Sequence, residues 1–323
     1  QDLQSMEKYS IGLKRAVIVG GGLIGIEMAE MFRSRNIEVT MLARESSFWN
    51  NVLPEKSSKM INRHILEHHV DLRLSTELDR IEAGKDGKVG AVWTKAGEKI
   101  ECQFVGLTVG VHPNIKFLGD AGIETAKGVL VNEYLETNQP NIYAAGDCAQ
   151  FKSPLPGRRP VEQVWYTGKM QGATLAQTLC GNRMAYQPGH WYNSAKFFDI
   201  EYQTYGNVPS QLSDGQAAFY WEHPDGKKSL HLVYEKNSLK FIGINTFGLR
   251  YRHHLFNQIL NEERTIKYVI EHLPTANFDP ELYASFEYYI KALYNKRFPN
   301  NTIQSQSKKG FNAFSQLFKT AKA

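Results

Sequence analysis

The sequence predicts an α/β chain in which a parallel-sheet nucleotide domain leads into a smaller α+β domain. Three observations predict it. Arg15 to Glu30, RAVIVGGGLIGIEMAE, reads as a buried strand, a glycine turn and a helix. Thr137 to Ala149, TNQPNIYAAGDCA, reads as a second strand that ends on Gly-Asp. From Trp191 onward the pattern turns aromatic and alternating, the mark of antiparallel strands.

Composition sets the bounds. A chain of 323 residues with 42% hydrophobic and 12% aromatic residues can bury two or three cores. The net charge of +5 is mild, and its basic residues are scattered except near the C-terminus. That argues against a nucleic-acid partner. Cys102, Cys148 and Cys180 are far apart with no C-x-x-C pair, which points to a reducing, cytoplasmic setting. No apolar run reaches membrane-spanning length. The opening QDLQSMEKYS is polar and does not start with methionine, so the chain reads as cut from something longer.

Residues 1–13 read as a short helix or linker with an apolar stripe of Leu3, Met6 and Tyr9. Ala16 to Val19 then form the first buried strand. Gly20, Gly22 and Gly25 fit G-x-G-x-x-G, with Gly21 between the first two. One glycine makes the tight turn, one lets a pyrophosphate approach the backbone, and one lets the helix pack close to the strand. The first helical turn, with Leu23, Ile24 and Gly25, offers free N–H groups and a positive dipole end to phosphate. This helix is expected to run to about Ser34, with Ile24, Met28, Met31 and Phe32 as its core side and Asn36 as its stop. Glu38 to Leu42 is the second strand.

After that strand an NAD-binding domain usually has an acid for the ribose 2′-hydroxyl, and an arginine instead accommodates a 2′-phosphate. Here Ala43, Arg44 and Glu45 follow. Arg44 is read as free to meet a phosphate, so NADPH is favoured over NADH. The competing reading is a solvated Arg44–Glu45 surface pair. Leu53 to Val70 reads as a helix. His64 and His68 share one face at i, i+4, a metal-like spacing, but no third ligand follows. They are read as part of a solvated face, and no metal centre is expected.

Strands are expected at Asp71–Ser75, Leu78–Ala83, Val89–Thr94, Lys99–Gln103 and, buried, Phe104–Val109. Gly110 and Pro113 then force a turn. A short strand is expected at Val129–Val131 and another at Ile142–Ala145, with Gly146 and Asp147 at its carboxyl end. That is where ligands bind in α/β sheets, and an aspartate there can accept from sugar hydroxyls. A basic, proline-rich loop leads to a helix over 162–180, whose Gly168 and Gly172 allow close approach. The last part carries strands at Ala195–Tyr205, Gln216–Glu222, Ser229–Glu235 and Leu239–Phe247, then helices near 253–272 and 280–296. Phe197, Phe198, Tyr202, Phe219, Tyr220 and Trp221 are read as core. The basic tail carries Phe311, Phe314, Leu317 and Phe318 on one helical face, and is read as docking on protein rather than on a membrane.

These motifs, in this order, resemble the two-dinucleotide-binding-domain flavoproteins of the pyridine nucleotide–disulfide oxidoreductase superfamily. VIVGGGLIGIEMAE is similar to the NAD(P)-binding strand, turn and helix of that family. VGLTVGVHPN is similar to the strand and turn leading out of that domain, and TNQPNIYAAGDCA to the second flavin motif. The resemblance implies a Rossmann-like NAD(P)-binding domain (14–112), a second part of an FAD-binding domain (113–186), an α+β interface domain (187–298) and a tail (299–323). It implies FAD and NAD(P)H as cofactors. A hydride would pass from nicotinamide C4 to flavin N5, and electrons would go on to a small molecule or a small redox protein. Gly110 would lie under the nicotinamide half and Glu27 near the nicotinamide, though Glu27 also reads as an ordinary helix-surface acid. Gly146 and Asp147 would hold the flavin ribityl chain, with Gln163 and Val164 at the pyrimidine edge. Family members are often homodimers through the C-terminal domain.

Two departures matter. The family's earlier glycine-rich turn for the ADP half of FAD is not found before Arg15, which implies that about a hundred residues precede this chain in the whole enzyme. The chain by itself is then expected to hold FAD poorly. The histidine–glutamate pair of the disulfide reductases also finds no match at His223 or His272. The resemblance therefore favours the electron-transfer reductases over a disulfide reductase or a dinucleotide-sensing protein without turnover.

Overall fold

The computed structural model describes residues 2–154, 157–278 and 284–304. Its first domain is a four-stranded parallel sheet in the order β3-β2-β1-β7, with β1 at Arg15–Val19, β2 at Glu38–Leu42, β3 at Val70–Arg73 and β7 at Phe104–Leu107. Ala16, Val17 and Ile18 are all buried, as a strand covered on both faces requires. Helix α2 (Leu23–Arg33) joins β1 to β2, and α3 (Glu55–Glu67) joins β2 to β3. A short α1 (Asp2–Tyr9) precedes them. On the other side, Val17 and Leu42 pack with Val92 and Cys102 of an antiparallel sheet of β4 (Leu78–Ala83), β5 (Val89–Thr94) and β6 (Lys99–Glu101).

The second region is small. Strands β8 (Val129–Val131) and β9 (Ala149–Phe151) pair in parallel, and α4 (Trp165–Leu179) follows. The C-terminal domain is a five-stranded antiparallel sheet in the order β10-β11-β14-β13-β12, formed by β10 (Tyr192–Phe197), β11 (Ile200–Gly206), β12 (Gln216–Glu222), β13 (Ser229–Glu235) and β14 (Phe241–Phe247). Helices α5 (His253–Asn261), α6 (Ile266–Ala276) and α7 (Glu287–Arg297) cover one face.

Several expectations are corrected. Helix α2 buries Gly25, Ile26, Ala29 and Phe32, whereas Ile24 is exposed, so its apolar stripe is rotated from the expected one. Leu3 and Tyr9 of α1 are exposed, and of that stripe only Met6 packs against a core. Ile142–Ala145 is not a strand: it makes a single bridge, Glu136 to Tyr143, and its backbone bonds turn back onto Leu135–Thr137. Strand β7 stops at Leu107, and Leu107 and Val109 are exposed at the sheet's edge. The span 195–205 is a hairpin rather than one strand, turned at Phe198-Asp199 with Phe198 at φ 54°. The span 253–272 is two helices, parted where Glu263 takes φ 54°.

Other expectations match. Asn36 stops α2 at φ 58°, a left-handed position that asparagine tolerates. Of the six aromatics read as core, five are buried and Tyr220 is partly so. The apolar tail face falls at 305–323, outside the described residues.

Candidate functional site

The glycine turn lines one cleft of about 540 Å³ at the carboxyl ends of β1, β2 and β7. Gly20, Gly21, Gly22, Arg44 and Gly110 all lie on its wall, with Glu45, Trp49, Asn51, Glu77 and Thr108. Each glycine of the turn has a distinct surrounding. Gly20 sits at φ 126°, and a Cβ there would meet the Thr108 carbonyl oxygen at 2.3 Å. A Cβ on Gly25 would meet the Gly20 carbonyl oxygen at 2.5 Å, so α2 packs on the turn only because that carbon is missing. A Cβ on Gly22 would meet nothing within 4 Å. Gly20 and Gly25 therefore serve the fold, while Gly22 leaves space open in front of the backbone.

Gly22 is also the N-cap of α2, with no side chain capping the helix and no acid in its first turn. The amides of Leu23, Ile24 and Gly25 lack partners within the helix by its geometry. Unneutralised donors beside open space form an anion site. Gly110 stands at the far wall at φ 113°, again with open space where a Cβ would be. Thr108 joins the walls: its N–H and hydroxyl both donate to the Val19 carbonyl, at 2.8 and 3.0 Å.

Arg44 and Glu45 share the cleft rim. The Arg44 Nε donates to Glu45 Oε1 at 3.0 Å, and the arginine side chain is 78% exposed against 25% for the glutamate. Arg44 is thus paired rather than free, and the hydrogen bond it donates to Glu45 raises its pKa. Glu27 lies in the second turn of α2, exposed and away from the cleft walls. Partial burial, followed by repulsion from Glu30, raises its carboxyl above the ordinary value.

The remaining predicted residues gather elsewhere. Gly146 (φ 80°) and Asp147 form a 3-10 turn that packs on α4. The Gly146 N–H donates to Gln171 Oε1 at 2.7 Å, and Gly168 approaches the Gly146 Cα. Asp147 is exposed, and Gly146 again has open space beside it. Gln163 and Val164 sit at the N-terminus of α4, with Val164 its N-cap and no acid in the first turn. What holds this lead-in was not anticipated. Arg158 grips Glu162 in a two-pronged pair at 2.7 and 2.5 Å, and both side chains are less than 10% exposed. Burial works against the Arg158 charge, but the Glu162 carboxylate more than offsets it and raises its pKa. Thr167 donates to the same carboxylate at 3.1 Å. The i, i+4 spacing of Arg158 and Glu162 was the signal available for this clasp.

The histidine face is corrected most. His64 is 1% exposed, and a third polar group does reach it: Asp199 Oδ1 lies 2.7 Å from His64 Nε2 and 3.3 Å from His68 Nε2. Asp199 comes from the unexpected β10–β11 turn, more than 130 residues along the chain.

Residues 1–177 match the sequence model of the family described as pyridine nucleotide-disulphide oxidoreductase. The NAD(P)H sulfur oxidoreductase (CoA-dependent) of Pyrococcus abyssi is 34% identical over 256 residues, which are 75% of this chain and 56% of that protein. Rhodocoxin reductase of Rhodococcus erythropolis is 30% identical over 198 residues, 61% of this chain and 46% of that protein. The chain thus spans about half the length of the curated relatives it matches. A solved NAD-dependent persulfide reductase from A. fulgidus superposes with a TM-score of 0.74 at 21% identity, covering 92% of this chain and 58% of that one.

Proposed function

The chain belongs to the pyridine nucleotide-disulphide oxidoreductase family, and on that premise we propose that it is part of an NAD(P)H-dependent flavoprotein reductase that passes electrons to a small redox protein or small-molecule acceptor. The carrying observation is the open space at Gly22 beside the uncapped start of α2, with Gly110 lining the same cleft. The nicotinamide and flavin supply the hydride chemistry when bound. The chain's residues bind and orient them. Gly20, Gly21 and Gly22 with the amides of Leu23, Ile24 and Gly25 hold the nucleotide pyrophosphate. Gly110 leaves room for the nicotinamide half, whereas Glu27 stands off the cleft wall and is given no part in binding it. Gly146 and Asp147 take the ribityl side of FAD, with Gln163 and Val164 at the ring edge, braced by Arg158–Glu162. NADPH is favoured through Arg44, in competition with Glu45. The unpaired cysteines fit a reducing, cytoplasmic setting, and the exposed aromatics of the C-terminal domain fit a homodimer.

The test begins with binding. Titration of the chain with NADPH and NADH, read by quenching of the cleft-lining Trp49, gives saturable binding. Gly22→Ala, which meets no neighbour, leaves the far-UV spectrum and melting point unchanged while weakening both nucleotides about tenfold. Unchanged affinity would place the nucleotide elsewhere. A second reading has support in the Pyrococcus relative, whose match runs on into the C-terminal domain: the acceptor is a sulfur compound. Steady-state NAD(P)H oxidation by the whole enzyme with FAD, comparing polysulfide with a small iron–sulfur protein, separates the two.

A further inference from the structure

We propose that His64, His68 and Asp199 form a binding site for a divalent transition-metal ion of the zinc class, which fastens the nucleotide domain to the C-terminal sheet. Their nearest ligand atoms all lie within 4.8 Å of one another. His64 and His68 stand one turn apart on α3, and Asp199 reaches them from the turn between β10 and β11.

The argument rests on where the protons can sit. His68 Nδ1 lies 2.9 Å from the His64 carbonyl oxygen, an acceptor, so that nitrogen carries the hydrogen. In the neutral ring its Nε2 is then a lone pair, and it faces a carboxylate oxygen at 3.3 Å. His64 Nε2 faces two more acceptors, Asp199 Oδ1 at 2.7 Å and the Phe197 carbonyl at 3.2 Å. A proton there leaves His64 Nδ1 buried with no hydrogen-bond partner. A cation between the three ligand atoms accounts for their convergence on one point. It takes the two Nε2 lone pairs and Oδ1, and it moves the His64 proton to Nδ1, where the exposed Glu67 carboxylate is 3.7 Å away. His68 would then be oriented from behind by the His64 carbonyl oxygen, the usual backing of a metal-bound histidine, while the Glu67 carboxylate would have to close on His64 Nδ1 to do the same.

Two imidazoles and one carboxylate suit zinc or a neighbouring first-row ion rather than calcium or magnesium. Tetrahedral zinc with ligand bonds of about 2.0–2.2 Å sets ligand atoms about 3.3 Å apart, so Asp199 must back away from His64 and the wider separation, up to 4.8 Å, must close. Asp199 is 54% exposed and can move. Lys227, 3.2 Å from its other oxygen, is also exposed enough to swing aside. His68 is held flat against Phe198, with ring centroids 4.2 Å apart.

The test uses the full 323-residue chain, stripped with a chelator and dialysed against zinc sulfate. The expected result is one zinc per chain by elemental analysis and a raised melting point. His68→Ala and Asp199→Asn, at partly exposed positions, should keep the far-UV spectrum and lose that zinc. Cobalt in place of zinc should give the visible bands of a four-coordinate nitrogen and oxygen site in the wild type alone. No zinc in the wild type overturns the proposal and leaves a proton-held cluster. Equal zinc in wild type and both variants overturns it too, by placing the ion elsewhere.

Discussion

In the proposed nucleotide site, Arg44 and Glu45 form one ion pair that would set the preference between two nucleotides. A 2′-phosphate needs the Arg44 guanidinium, and a 2′-hydroxyl needs an acceptor such as Glu45. Each side chain neutralises the other at 3.0 Å, so either ligand must displace its rival's partner. Glu45→Gln should therefore free Arg44 and tighten NADPH relative to NADH, and Arg44→Ala should loosen NADPH about tenfold with little change for NADH. Parallel titrations with the two nucleotides check both signs. The residue types here were readable, but their pairing was not: adjacent side chains on an irregular stretch carry no period that tells whether they meet. The glycines were clearer. Gly20 and Gly25 are closed in by backbone and Gly22 faces open space, so the three positions are not equivalent.

Elements with strong periodicity were legible to the residue, as for β2, β4, β5, β8, β12 and β13. The two spans read as single elements share a cause, a chain reversal whose left-handed residue is neither glycine nor asparagine. Phe198 and Glu263 take left-handed backbone angles that neither residue type signals. Without a turn signal, β10 and β11 read as one strand, and Asp199 could not be placed beside His64. Strand β13 carries a second hidden consequence. His231 is buried there with Nδ1 unpartnered, and burial, followed by repulsion from Lys56, pushes its pKa down to about 4. The unfolded chain titrates this group near the ordinary value of about 6.5. Between those two values the unfolded state binds more protons. The stabilisation is therefore full above about pH 6.5 and lost as pH falls towards 4, by up to about 3 kcal/mol. His231→Phe should flatten the fall of the urea midpoint between pH 6.5 and 4.5, with the wild type as reference. A slope unchanged by the substitution would assign the acid sensitivity to other groups.

At the scale of the molecule, the boundary drawn near residue 187 from composition separates sequence segments but not cores. One hydrophobic cluster contains Ile18, Ile26, Met41 and Ile61 of the first domain together with Phe197, Phe198, Tyr202 and Phe247 of the C-terminal sheet. Trp49 connects this shared core to the cleft lined by the glycine turn. It lines the cleft, and its ring lies 6.0 Å from both Phe197 and Tyr202. No periodicity within either segment could show this, because each face is apolar for its own sake and the sequence does not say which faces meet. The arrangement makes the two domains one thermodynamic unit. Phe197 is fully buried among Phe48, Trp49, Tyr202 and Phe247. Phe197→Ala should remove about 3–5 kcal/mol, as truncation of a buried aromatic does. If the core is shared, the loss appears in both domains. The denaturation midpoint read from loss of nucleotide binding in the first domain should fall together with the midpoint read from far-UV circular dichroism. Independent domains would instead leave the nucleotide-binding midpoint where it was and split the transition in two. Because Trp49 packs on the missing ring, the variant should also weaken nucleotide binding before any unfolding, although Phe197 does not line the cleft.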